Sequence, residues 1–109
     1  MIQMLCSKIE ELTITRASLE CKGSITLDPE LIKIAGLVEN QVVDVNNLTN
    51  GARSKTYILK GEKGDVQING ALSHLMHVGD KIHVNAYCWG MPEKTIIISR
   101  EQAEEILRS

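Results

Sequence analysis

The chain has 109 residues, enough for one domain with a single hydrophobic core and too few for two. Hydrophobic residues make up 43% of it and charged residues 24%, as in ordinary globular proteins. Aromatic residues are only 3% and the net charge is -2, so base-stacking platforms and a basic surface are both lacking. This composition argues against a nucleic-acid-binding protein and predicts a core of Ile, Leu, Val and Met.

Sequence features that indicate a cellular compartment are few. No apolar run approaches the roughly 20 residues of a membrane-spanning helix, and the first residues lack the pattern of a signal peptide. Cys6, Cys21 and Cys88 are odd in number and widely spaced, which argues against a disulfide framework and for a cytoplasmic protein. The three histidines lack the spacing of zinc ligands, so we predict no metal site.

Short strands, frequent turns and two short helices follow one another along the chain. Asp28 as N-cap and Pro29 as the first helical residue begin a helix that Gly36 ends. Ser99 and Gln102 form a capping box for a terminal helix. Alternating apolar and β-branched residues predict strands over 9–15, 24–27, 41–45, 55–60, 65–68, 81–87 and 95–98, with one helical turn over 71–76. The pattern predicts a small, mostly-β barrel as a single domain over residues 1–109.

Four stretches carry the specific signal. They are residues 4–9 (MLCSKI), 23–28 (GSITLD), 47–57 (NLTNGARSKTY), and 68–71 (INGA) followed by 78–80 (VGD). In order and spacing they resemble the pyruvoyl-dependent aspartate 1-decarboxylases, over about residues 4 to 87. Gly-Ser alone is a common turn dipeptide. The resemblance depends on the motifs that follow it at the family's spacing.

The resemblance implies a double-psi β-barrel that assembles as a homotetramer with active sites between subunits. It also implies that Ser24 Oγ attacks the Gly23 carbonyl, that the chain is cut between these residues, and that Ser24 becomes a pyruvoyl group. Such a group is the electron sink that decarboxylation of an amino acid requires. By the same likeness, Thr56 and Asn69 hold the Gly23 carbonyl and stabilise its oxyanion.

The resemblance also implies which residues bind the substrate, L-aspartate. Arg53 holds one carboxylate as a bidentate pair, and Lys8 supplies the second positive charge. Tyr57 returns a proton to Cα after carbon dioxide leaves. Gly70 and Ala71 complete the pocket. The product is β-alanine, a precursor of pantothenate and coenzyme A.

Several positions depart from the family pattern, as does the C-terminal tail. Glu10 stands where a histidine is typical, Cys21 where a tyrosine is usual, and Asn46 where tryptophan is frequent. Glu10 partly neutralises Lys8, and Leu72 takes the place of a small residue. These changes leave two alternatives open: a paralogue acting on another small amino acid, or an unprocessed barrel that serves as a binding or regulatory module. A small DNA-binding barrel agrees poorly with the acidic composition.

Overall fold

The computed structural model describes residues 1–19 and 23–109, so Cys21 lies outside the described residues. In chain order the elements are β1 (Gln3–Thr13), β2 (Arg16–Ser18), β3 (Ser24–Leu27), α1 (Pro29–Ile34), β4 (Val42–Asn47), β5 (Arg53–Lys60), β6 (Val66–Asn69), a 3-10 helix (Gly70–His74), β7 (Lys81–Trp89), β8 (Ile96–Ile98) and α2 (Arg100–Arg108). The strands form one sheet in the order β2-β6-β3-β5-β4-β7-β1-β8. The pairs β2–β6, β3–β5 and β1–β8 are parallel, and the others are antiparallel. The prediction of a small, mostly-β barrel with short helices is confirmed.

Strand β1 is longer than its sequence pattern predicts. It begins at Gln3 instead of residue 9, because its antiparallel pairing with β7 runs from Gln3 to Thr13. Register shifts interrupt this pairing between Leu5 and Ser7, and again between Ile9 and Leu12. Each bulge inserts extra residues and breaks the alternation on which a sequence-based prediction depends.

The core is aliphatic, as the composition predicts. Side chains that are almost fully buried come from the inner faces of the strands and from α1; they include Ile9, Leu12, Ile25, Leu27, Leu31, Val45, Ile58, Ile68 and Ile82. No Trp or Tyr belongs to the buried core of the described residues. Because successive side chains of a strand point to opposite faces, an apolar inner face leaves the outer face for polar residues.

The outer face of β1, β7, β4 and β5 carries a polar patch. Lys8 on β1 lies opposite Asn85 on β7. Asn46 on β4 lies opposite both His83 on β7 and Arg53 on β5. Directly opposed residues of antiparallel strands project from the same face of the sheet. Strand register therefore brings together five polar residues that are far apart in the sequence.

Both helices begin where the sequence predicts. Ser99 Oγ accepts a hydrogen bond from the Gln102 N–H at 3.2 Å, and the Gln102 side chain accepts one from the Ser99 N–H at 2.9 Å. Gly36, just after α1, has a φ of +73°, a backbone conformation that favours glycine. Helix α2 packs against β1 and α1, with Ala103 buried. In the part of the chain that the structure describes, no helix is long and apolar enough to span a membrane.

Asp28 holds the start of α1 through three contacts. Its Oδ1 accepts from the Glu30 N–H and its Oδ2 from the Gly64 N–H, both at 2.8 Å. Lys63 Nζ lies 3.4 Å from Oδ2, and the Asp28 side chain is only 1% exposed. Burial opposes ionisation, but the two backbone hydrogen bonds and Lys63 outweigh it and hold the pKa of Asp28 below its usual value.

Replacing Asp28 with Ala is expected to lower the free energy of unfolding by about 2 kcal/mol at neutral pH, since a cap is lost and buried donors are left unpaired. A carboxyl whose pKa is depressed on folding stabilises the fold above its unfolded pKa, near 3.8, and this contribution is lost as the pH falls through the folded pKa. The difference between wild type and D28A in urea unfolding should therefore shrink in acid. Asp44→Ala is the control: its carboxylate pairs with the exposed Lys55 at 3.7 Å, and it should cost less than about 1 kcal/mol. Equal losses in the two variants would contradict this role for Asp28.

A disulfide joins Cys6 to Cys88, so the expectation that the chain has no disulfide is wrong. Antiparallel pairing of β1 and β7 sets Met4 opposite Cys88, and the bulge between Leu5 and Ser7 contains Cys6. The two Cα atoms are 5.8 Å apart, although 82 positions separate the residues in sequence. Cysteine number and spacing cannot reveal a pair that strand register creates.

Candidate active site

Ser24 is the first residue of β3 and is fully buried. Asn69 at the end of β6 lies directly opposite and is 2% exposed. Its Nδ2 donates to Ser24 Oγ at 2.9 Å and to Thr26 Oγ1 at 2.8 Å. The Gln67 side chain donates to Asn69 Oδ1 at 2.8 Å, which fixes the orientation of the amide. Ser24 Oγ is thus held in one position, next to the peptide bond that joins it to Gly23.

Gly23 lies at the mouth of an open cleft. A Cβ placed on Gly23 would meet nothing within 4 Å, so space surrounds the residue. Strands β3 and β5 are parallel with Ile25 opposite Ile58, and this register sets Gly23 level with Thr56. The cleft has a volume of about 480 Å³, and its lining includes Gly23, Thr56, Tyr57, Ala71, Leu72 and Leu75. The structure therefore brings Thr56, Tyr57 and Ala71 to the predicted cleavage site.

The turn after β6 shapes the opposite wall of this cleft. Gly70 is buried and has a φ of +74°, which a residue with a side chain rarely adopts. Its carbonyl accepts a hydrogen bond from Ser73 Oγ at 2.7 Å. This turn starts the 3-10 helix from which Ala71 and Leu72 line the cleft. Leu72 is 8% exposed, so its larger side chain occupies part of the space that a small residue would leave.

Lys8 and Arg53 lie in a different cleft. Its volume is about 470 Å³, and its lining includes Lys8, Asn46, Asn47, Arg53, His83 and Asn85. Arg53 begins β5 and Tyr57 lies four residues farther along the strand, a separation of about 13 Å in extended backbone. The structure brings together the two predicted carboxylate-binding residues, but within one chain it does not place them at the Gly23 cleft.

Charges in the Lys8 cleft partly offset one another. Lys8 Nζ lies 3.9 Å from Glu10 Oε2. At this distance the Glu10 carboxylate offsets part of the positive charge of Lys8, as the sequence predicts. Burial and the Lys8 charge lower the pKa of His83, while Glu10 and Glu11 act in the opposite direction with smaller effect. The lowered pKa favours the neutral form of His83. Arg53 is the cation of this cleft without a salt bridge among the described residues.

His83 and Asn85 are residues of this cleft that the sequence interpretation missed. Sequence spacing tests a histidine only as a metal ligand, and within 1–19 and 23–109 no group of His, Cys, Asp and Glu is placed to hold a metal ion. Asn85 Oδ1 is buried and has no hydrogen-bond partner among those residues. A signal was present in the sequence: His83 and Asn85 alternate with Ile82, Val84 and Ala86, which indicates a strand with one polar face.

Comparisons with known proteins agree on one family. A model of the family described as aspartate decarboxylase matches residues 1–105. A protein of Caldicellulosiruptor bescii named aspartate 1-decarboxylase is 52% identical over 89 residues, 80% of this chain and 70% of that protein. A protein of the same name from Campylobacter hominis is 48% identical over 86 residues, 79% of this chain and 75% of its own. Another, from Sulfurimonas denitrificans, is 40% identical over 118 aligned positions, which cover 99% of this chain and 98% of the relative.

Proposed function

Because the chain belongs to the aspartate decarboxylase family, we propose that it converts L-aspartate to β-alanine and carbon dioxide, using a pyruvoyl group made from its own Ser24. The observation that carries this proposal is the buried Ser24 hydroxyl, held by the Asn69 amide at 2.9 Å beside the exposed Gly23. In the cell, β-alanine would supply pantothenate and coenzyme A synthesis. A cytoplasmic location stays a prediction from the sequence.

The proposed self-processing uses groups that lie together in the structure. Ser24 Oγ attacks the Gly23 carbonyl carbon, the C–N bond breaks, and the amide nitrogen takes the hydroxyl proton, which leaves an ester. Loss of the Ser24 Cα proton then expels the Gly23 carboxylate and leaves a dehydroalanine, an enamine that takes a proton at Cβ to become an imine. One water then hydrolyses the imine to the ketone as ammonia leaves. Thr56, level with Gly23, and Asn69 are the proposed donors to the oxyanion of the first step.

The surroundings of Ser24 suit a pyruvoyl group. Residue 24 is buried beneath the cleft that Gly23 lines, and the neighbouring Gly70 and Ala71 have little or no side chain. Once formed, the group supplies a carbonyl that takes up the electron pair left at the substrate Cα when carbon dioxide departs. Tyr57 lines the same cleft, and we assign to its hydroxyl the return of a proton to that carbon.

Substrate binding in this proposal involves more than one copy of the chain. Lys8 and Arg53 line one cleft and Gly23 lines another, so neither cleft alone contains both the reacting group and the cations for two carboxylates. The family resemblance implies a homotetramer, and we propose that in it Lys8 and Arg53 of one subunit face the Gly23 cleft of a neighbour. Arg53 would hold one substrate carboxylate as a bidentate pair, and Lys8 the other.

Carbon dioxide release tests the proposed reaction and its closest alternative. Purified protein should be supplied separately with L-aspartate, L-glutamate and L-alanine, and release should occur with L-aspartate. Leu72 in the wall of the Gly23 cleft and Glu10 beside Lys8 are the observations that favour a different small amino acid. Release from another amino acid and none from L-aspartate would establish that alternative. No release, together with an uncut chain, would indicate the non-catalytic binding module.

The disulfide gives a distinctive expectation for the processed protein. Cys6 lies before the proposed cleavage site and Cys88 after it, so their disulfide would keep residues 1–23 attached to residues 24–109. Protein purified without reductant should therefore denature as one linked species and separate into two fragments after reduction. Mass spectrometry with and without reductant measures this. Cys6→Ser is the control and should give separate fragments in both conditions, whereas wild-type fragments that separate without reductant would contradict the linkage.

A further inference from the structure

The proposed function gives no role to the two polar residues of β7 that line the Lys8 cleft. His83 and Asn85 both project from the outer face of β7, and Lys8 lies opposite Asn85. Asn85 Oδ1 is buried without a donor among the described residues. Buried polar atoms in native proteins nearly always have a partner, so this acceptor marks a place where a water, or a ligand group that donates an N–H or O–H, binds. The cleft is suited to a polar ligand.

The fixed charges of the cleft are too few for a dicarboxylate. Lys8 and Arg53 line the cleft and contribute two positive charges. Glu10 does not line it, but its carboxylate lies 3.9 Å from the Lys8 ammonium and adds one negative charge beside the cleft. Their sum is a single positive charge, whereas a ligand with two carboxylates brings two negative charges. One proton on His83 would make the two totals equal. His83 lines the same cleft as Lys8 and Arg53, so its charge acts at the ligand site.

The other charged groups around His83 are already engaged. The titratable and charged side chains nearby are Lys8, Glu10 and Glu11 on β1, Asp44 on β4, Arg53 and Lys55 on β5, Lys81 on β7 and Arg100 on α2. Glu11 pairs with Arg100 at 3.6 Å, Asp44 with Lys55 at 3.7 Å, and Lys81 donates to a threonine hydroxyl. With no ligand present, burial and Lys8 keep the pKa of His83 low and its ring neutral.

We propose that His83 is a specificity-determining residue that takes up a proton when the cleft binds a dicarboxylate, and so replaces the positive charge that Glu10 offsets. The identity of the ligand rests on the proposed function. Two carboxylates beside the imidazole stabilise its charged form, and linkage requires that protonation of His83 strengthens dicarboxylate binding equally. A neutral amino acid brings only one carboxylate and needs no such proton. His83 therefore favours dicarboxylates over monocarboxylates.

Calorimetry with succinate, a dicarboxylate that cannot be decarboxylated through an amine, tests this proposal. Titrations of the purified full chain in two buffers of different ionisation enthalpy measure the protons bound. Near pH 7 the wild type should take up about 0.5 proton or more, and its affinity should fall roughly fivefold between pH 6.5 and 8.5. His83→Gln should show no uptake and a flat affinity. His77→Gln, which changes an exposed histidine next to Asp80, should behave as wild type.

Any of three calorimetric results would overturn the role of His83: no succinate binding to the wild type, no proton uptake by the wild type, or equal uptake by wild type and H83Q. The first two need no variant, so a folding defect in H83Q does not weaken the test. The proposed function has a separate test: an uncut chain that releases no carbon dioxide would contradict it. If H83Q decarboxylates L-aspartate with the wild-type pH dependence of KM, His83 has no such role and the proposed function stands.

Discussion

Replacing Ser24 with Ala is expected to leave the chain uncut and to reduce carbon dioxide release from L-aspartate to background. The change removes the oxygen that attacks the Gly23 carbonyl. It also removes the serine that would be converted into the pyruvoyl group. Because the reaction then has no electron sink, the loss should be on the order of 10⁶-fold or more. Mass spectrometry under reducing, denaturing conditions measures the cleavage, and a carbon dioxide assay measures the activity.

Ser54→Ala is the matched control for this variant. Ser54 also lines the Gly23 cleft, but its hydroxyl makes only a long 3.5 Å contact with the carbonyl of the next residue. S54A should be cut and should decarboxylate L-aspartate like the wild type. Fragments of 1–23 and 24–109 in the S24A protein would show that another residue is the nucleophile.

Replacing Arg53 with Gln is expected to lower kcat/KM for L-aspartate by roughly 10²-fold or more, because a buried carboxylate would lose its charged, bidentate partner. Cleavage of the chain should be unchanged, since Arg53 lies in a cleft apart from Gly23 and Ser24. Steady-state kinetics on fully cut protein measures the first effect, and fragment masses measure the second.

Lys60→Gln is the control for Arg53. Lys60 is the exposed last residue of β5 and lines neither the Lys8 cleft nor the Gly23 cleft. Its replacement should change kcat/KM by less than about threefold, as is usual for an exposed charge. Equal losses in R53Q and K60Q would mean that general charge, and not a carboxylate contact, explains the effect of Arg53.

The parts of the fold that the sequence predicts well are those with local causes. Asp28 and Ser99 cap the helices with their own side chains, so the signals for both helix starts lie within a few residues. Strand β3 is predicted at 24–27, and the structure has it as Ser24–Leu27. The start of β1 and all of β2 depend on pairing with distant strands, and β2 is only three residues long. Their sequences carry no periodicity from which they could be predicted.

The candidate site shows the same division. Motifs at family spacing predict that Asn69 acts at the bond between Gly23 and Ser24, and the register of β3 and β6 sets Asn69 opposite Ser24. The separation of Lys8 and Arg53 from Gly23, and the presence of His83 beside Lys8, depend on how four strands align side by side. Such alignment depends on long-range hydrogen bonds and bulges, so the sequence pattern of a single strand does not predict it.

The mass of the wild-type protein is the most direct test of self-cleavage. After reduction and denaturation we expect two species, residues 1–23 and residues 24–109, the larger carrying a pyruvoyl group in place of an amino terminus. Its terminus should therefore resist amine-reactive labels and react with hydrazines. A single intact chain of 109 residues after prolonged incubation would show that the chain does not cut itself.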